Sequence, residues 1–148
     1  LFFLLCFHEW QDQSSSQTFY CGTVSPIEKW ANDPKYLGKD LELGKTLFRN
    51  NCAACHAGDM KTNLTGPALG GMEKRWENHG RKEALYAWIR NSQKMITEGK
   101  NQRAKELWQE WGPTVMNSFE QLSDEEIDAV LAYIEMTYGG SYSSYVSL

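Results

Sequence analysis

An all-α domain is what this sequence predicts, on three observations: apolar residues recur at the helical period, one helix start carries a full capping signature, and no segment sustains strand alternation. The first helix opens near Leu41. Leu41, Gly44, Leu47, Phe48 and Cys52 follow helical spacing, so this helix runs directly into the pentapeptide Cys52-Ala53-Ala54-Cys55-His56. Gly44 weakens a helix relative to alanine, and its presence makes sense where a second helix crosses closely. Two further helices follow. Lys82 to Asn91 places Leu85, Trp88 and Ile89 on one face. Asn101 to Trp111 carries Ala104, Leu107, Trp108 and Trp111 at spacings of 0, 3, 4 and 7 before Gly112-Pro113 stops it. The last helix begins at Ser123-Asp124-Glu125-Glu126, a capping box with Ser123 at the cap and Glu126 three residues on. Ile127, Val130, Leu131 and Ile134 continue the pattern, and Gly139-Gly140 ends it. Val115 and Met116 fall in the loop between Pro113 and the capping box.

The pentapeptide carries the chemistry. Two cysteines separated by two residues, with a histidine directly after the second, form the pattern that attaches c-type haem. The spacing has a chemical reason. Two thiols add to the two vinyl groups on one edge of a porphyrin, and a histidine from the same short segment reaches the iron. Other uses of paired cysteines fit less well. Zinc wants four ligands, usually as two close pairs, and Cys6 and Cys21 are too far upstream and too far apart to form the second. A thioredoxin-like motif wants a βαβ context, whereas the surroundings of Cys52 are helical. One covalent haem c, held through Cys52, Cys55 and His56, is the expected cofactor.

At 148 residues the chain has the length of one small domain with extensions. A haem adds apolar surface of its own, so the protein core need not be large. The formal net charge of −4 opposes nucleic-acid binding, which calls for a basic stripe. Lys74-Arg75 and Arg81-Lys82 are local basic pairs that either frame a docking surface or are simply solvated. The chain divides into an N-terminal apolar segment, linker and arm (1–40), a compact domain (41–138) and a tail (139–148). Leu1-Phe2-Phe3-Leu4-Leu5 is far short of the about twenty apolar residues that span a bilayer and reads as the end of a signal segment. For Cys6 and Cys21 three states stay open: lipid attachment, a disulfide in an oxidising compartment, or free thiols. Gln11 to Gln17 is a serine-rich linker. Phe19 to Lys39 is an irregular arm that lies on a partner protein or on its own domain. The N-terminus thus offers a route to membrane attachment.

These residues together resemble the class I, mono-haem cytochrome c family over roughly residues 41–138. The resemblance rests on Gly44, Phe48, the Cys52–His56 motif, Thr65-Gly66-Pro67-Ala68-Leu69, Leu85 to Asn91, Val115-Met116-Asn117-Ser118-Phe119, and the stretch from Leu122 through Ile134. One departure is Asn117, where the family often has proline after the axial methionine. The resemblance implies four to five helices around one covalent haem, with an irregular N-terminal arm. It implies thioethers at Cys52 and Cys55, the proximal ligand at His56, and Pro67 as the residue whose carbonyl accepts the other imidazole N–H. Gly44 and Phe48 then meet Val130 and Tyr133 where the terminal helices cross.

Met116 matches the distal ligand. Met60 follows His56 too closely to reach the opposite haem face, Met72 reads as a packing residue, and Met136 lies on the last helix. Met95 is the strongest competitor, and His79 would give a bis-histidine site. His/Met ligation closes both axial positions and raises the potential, which implies one-electron transfer and no catalysis of its own. The stretch Trp88 to Gln93 and the sequence from Val115 onward are similar to cytochrome domains of bacterial respiratory complexes, namely alternative complex III and haem–copper oxidases. Expected partners are therefore redox proteins, a quinol-oxidising complex or a terminal oxidase, in the bacterial periplasm or on the outer face of the cytoplasmic membrane. A free periplasmic shuttle, and a haem enzyme or gas-binding domain with a labile distal ligand, are the alternatives.

Overall fold

The computed structural model describes residues 38–139, and the readings of the apolar N-terminal segment, Cys6, Cys21, most of the arm and most of the tail lie outside them. The described residues form five helices and no strand: α1 (Leu41–Asn51), α2 (Met72–Trp76), α3 (Arg81–Glu98), α4 (Gln102–Trp111) and α5 (Asp124–Tyr138). The all-α expectation holds. Its helix boundaries hold at α1, α4 and α5, and two features differ.

The first difference is α2. A single short turn of helix over Met72–Trp76 is too brief to show periodicity, and it exists because Met72 and Trp76 are both buried against the core. The second is α3, which runs past Asn91 to Glu98 but breaks there, with Asn91 at φ −156° and ψ 82°. The break is locally satisfied. The Asn91 side-chain oxygen accepts from Lys94 N at 2.9 Å, in the manner of an N-cap. The expected end at Asn91 is thus the end of the first half of α3.

Capping chemistry fixes the other starts. Asp40 accepts from Leu43 N at 2.9 Å at the head of α1. Asn101 accepts from Ala104 N at 3.1 Å at the head of α4 and donates to His79 O at 2.7 Å, which ties α4 to the turn before α3. Ser123 completes the capping box of α5: its hydroxyl accepts from Glu126 N at 3.2 Å, and Glu126 accepts from Ser123 N at 2.8 Å.

Helices α1 and α5 make the dominant helix–helix contact. Gly44 allows it, because a Cβ at that position would lie 2.1 Å from the Ala129 carbonyl oxygen and 3.1 Å from Tyr133 Cβ. One turn on, the rings of Phe48 and Tyr133 pack with centroids 5.5 Å apart. The outer side of the crossing is fastened at Asp128, which accepts from Lys39, Tyr86 and Lys82. Burial pushes the Asp128 carboxyl up, but these three donors outweigh it and hold the carboxyl at about 2. The inner faces of α1, α3, α4 and α5, with the loops between them, enclose a cavity.

Candidate functional site

The proximal wall of the cavity is built by the chain that leaves α1. Cys52 caps α1, its N–H bonding Phe48 O, and the next turns are closed by Cys55 N and His56 N on Cys52 O. This tight winding puts Cys52, Cys55 and His56 on the same cavity wall. Ala53 and Ala54, between the thiols, face solvent. The segment then returns. Gly66 N bonds Cys55 O at 2.8 Å, and Gly70 N bonds Met60 O at 2.8 Å. The loop therefore closes back on the motif, with Met60 fully buried beneath it.

His56 is held from behind. Its Nδ1 lies 2.8 Å from Pro67 O. A carbonyl only accepts, so Nδ1 carries the hydrogen and Nε2 keeps its lone pair. His56 is 8% exposed, and burial holds its imidazole below the usual value against the opposing effect of the Pro67 bond. Burial, and then the neighbouring Cys55, push the Cys52 thiol up to about 11. Gly66 presses on the ring, since a Cβ there would stand 2.6 Å from His56 Cε1.

The distal wall is the segment from Gly112 to Leu122, which carries Met116 half-buried onto the cavity. The broken helix α3 holds this segment. Because Lys94 N turns to the Asn91 side chain, Arg90 O is released and accepts Phe119 N at 2.9 Å. The fully buried Ser92 hydroxyl donates to Met116 O at 3.1 Å, and the Arg90 guanidinium donates to Leu122 O.

All five residues singled out in the sequence, Cys52, Cys55, His56, Pro67 and Met116, line this one cavity of about 480 Å³, within the range of about 300–1,000 Å³ for cofactor sites. Of the competing ligands only Met72 joins them; Met60, Met95, Met136 and His79 are not on the wall. Most of the remaining lining is apolar, including Leu47, Leu85, Ile89, Val130 and Ile134. A planar apolar group with two thiol-reactive arms and an iron to accept Nε2 fits this donor set.

Sequence reasoning gave no role to Gly66, Ser92 or Arg103, and Arg75 entered it only as half of a docking or solvated basic pair. Gly66 had a signal, a glycine directly before the proline behind His56. Arg103 had one too, because it lies one helical repeat before Leu107 and Trp111 on the cavity face of α4. Of the basic pairs, Lys82 is committed to Asp128, and Arg75 donates to the carbonyls of Ala68 and Gly70.

The Gly66→Ala variant is expected to displace the imidazole and break its bond to Pro67, at a cost of about 1–2 kcal/mol to the holoprotein. Denaturant unfolding of holoprotein measures this, and an unchanged midpoint would show that the contact is slack.

The cytochrome c family model matches residues 41–137. Cytochrome c6 of Bryopsis maxima is 33% identical over 107 residues, 66% of this chain and 91% of its own. Cytochrome c6 of Cyanidium caldarium is 33% identical over 106 residues, covering 71% and 78% of the two chains. Among solved structures, a cytochrome c from Rhodothermus marinus matches with a TM-score of 0.52 at 26% identity, over 73% of this chain and 99% of that one. With its helices, its cavity and its paired cysteines in place, the chain belongs to the cytochrome c family, as a class I monohaem member whose covalent haem c serves electron transfer.

Proposed function

We propose that this protein relays single electrons through a closed haem site, with Cys52 and Cys55 as the thioether residues and His56 and Met116 as the axial ligands. The observation that carries this reading is the single cavity on which all four side chains meet. A haem c bound there supplies a reversible ferric/ferrous couple. Pro67 fixes the His56 ring so that Nε2 is presented to the metal in one orientation. Met116 would offer its sulfur to the same metal from the distal wall, which would leave no position for oxygen or peroxide. Its thioether, with the apolar lining, disfavours the extra positive charge of the oxidised state and raises the potential.

Electron exit is assigned to the attachment edge. Ala53 and Ala54 are exposed between half-buried cysteines, and Leu64, 53% exposed, lies beside them through the Leu64–Gly66 and Gly66–Cys55 backbone bonds. A small uncharged patch of this kind suits the brief, small contacts of redox partners. The similarity of Trp88 to Gln93 and of the Val115 region to cytochrome domains of respiratory complexes supports a place beside a quinol-oxidising complex, passing electrons towards a terminal oxidase. In this reading the protein works in the bacterial periplasm or on the outer face of the cytoplasmic membrane, and the N-terminal segment provides the attachment. No helix among the described residues is long and apolar enough to cross a membrane.

Two measurements test the proposal. The reduced protein is expected to show no spectral change under carbon monoxide, and a large shift would replace the closed relay with an open haem. Purification from native membranes is expected to bring down a quinol-oxidising complex that reduces it. Recovery as a single free species that shuttles between partners would favour the free carrier instead.

A further inference from the structure

Along α3 the residues that line the cavity are Leu85, Trp88, Ile89 and Ile96, all apolar. Ser92 falls in the same register, at helical spacing from Trp88, Ile89 and Ile96. It is fully buried, yet it is not on the cavity wall. A serine inside a helix ordinarily points to solvent or back to the carbonyl four residues before. Here the break at Asn91 stands directly before it, and the hydroxyl leaves its own helix to donate to Met116 O at 3.1 Å. The segment it reaches has few other holds. Thr114 N bonds Trp111 O on one side, and Phe119 N bonds Arg90 O on the other. From Val115 to Ser118, the bond from Ser92 is the one hydrogen bond made with a described residue. It lands on the carbonyl of Met116 itself. Asn117 follows, where the family often has proline. A proline there would fix its own φ and keep the preceding residue extended, which asparagine does not.

We propose that Ser92 is a positioning residue for the distal ligand: its hydroxyl holds the Met116 backbone so that the thioether stays on the cavity, in place of the stiffness a proline at 117 would give. The inference rests on Met116 being the axial ligand, as proposed above. Ser92 acts only through Met116, since its own side chain is off the cavity wall. Without the hydroxyl, the Met116 carbonyl loses this partner and the segment leaves its place in a larger fraction of molecules. An added ligand that competes for the vacated position then binds more tightly, in proportion to that fraction. One neutral hydrogen bond is worth a factor of about 2 to 10 in such an equilibrium.

The test is a titration of the oxidised holoprotein with imidazole, followed by absorption, with thermal unfolding measured alongside. Ser92→Ala is expected to tighten apparent imidazole binding by about 2- to 10-fold over the parent. In a Met116→Ala background the same change is expected to leave imidazole binding unmoved, because no sulfur is left to compete. A Ser92→Ala protein that loses stability with imidazole binding at the parent value overturns the proposal, because a serine that only fills the core would behave that way. Equal tightening in both backgrounds overturns it as well, since the effect then does not pass through the Met116 sulfur. If Ser92→Ala does not accumulate, Ser92→Cys, close in size and a weaker donor, carries the same titration. A smaller tightening is expected of it, and none overturns the proposal. A parent without His/Met absorption, or a Met116→Ala protein that binds imidazole no better than the parent, overturns the ligation reading instead, and this inference with it.

Discussion

Replacing Met116 with alanine is expected to open the haem and lower its potential by tenths of a volt, since axial ligands are among the factors that set potentials over a span of about 0.8 V. The reduced variant should bind carbon monoxide with a clear spectral shift, while the parent does not. The structure explains why the gap would persist. Only the Met116 side chain is lost in this variant, and its backbone stays tied through Ser92 Oγ on Met116 O and through Phe119 N on Arg90 O. Met72 is the other methionine on the wall, but it opens the one-turn helix α2 that follows the proximal loop, with its N–H bonded to Leu69 O. An unchanged potential in Met116→Ala, combined with a fall in Met72→Leu, would move the distal ligand to Met72.

Gly44→Ala is expected to destabilise the protein by about 3 kcal/mol, at the upper end of ordinary overpacking costs. In an isolated helix the same change is favourable by about 1 kcal/mol, so a net loss isolates the crossing as its cause. The new methyl would meet the backbone oxygen of Ala129 at 2.1 Å. No rotamer relieves a clash of Cβ with backbone, so α1 and α5 must separate and unpack Phe48 from Tyr133. Gly58→Ala is the control, because a Cβ there meets nothing within 4 Å. Denaturant unfolding of the two variants should give a large drop in midpoint for the first and almost none for the second. Equal behaviour would remove the close approach as the reason for glycine at position 44.

Both results concern residues that stand out in the sequence, and the reason is physical. The haem motif is local: covalent chemistry at two thiols and one imidazole demands adjacency, so five consecutive residues reveal it. The capping box at Ser123 and the glycine in the face of α1 are equally local signals. The Pro67 contact crosses a loop and became visible only through resemblance, yet the bond to His56 is present at 2.8 Å. Other features depend on tertiary contacts. Helix α2 has no periodicity to read, being one turn held by Met72 and Trp76 in the core. In the sequence the break at Asn91 reads as a helix end, because Asn is as acceptable at a terminus as at an N-cap, and nothing in the following Ser92-Gln93-Lys94 separates the two. Arg103 shares the register of Leu107 and Trp111, but a cation in a helix reads as solvated until the fold closes the cavity over it.

The interruption of α3 has a consequence for how fast electrons can move. An unbroken helix spends the Arg90 carbonyl on Lys94 N, whereas here Asn91 takes that amide and leaves the carbonyl to grip the segment bearing Met116. In the proposed ligation the sulfur is thus positioned by the polypeptide in advance, through bonds that do not involve the metal. The backbone of Met116 would be held alike whichever charge the iron carried. Under that ligation little would have to rearrange when an electron arrived or left, and a kink that looks like a fault in the helix would keep the reorganisation barrier low.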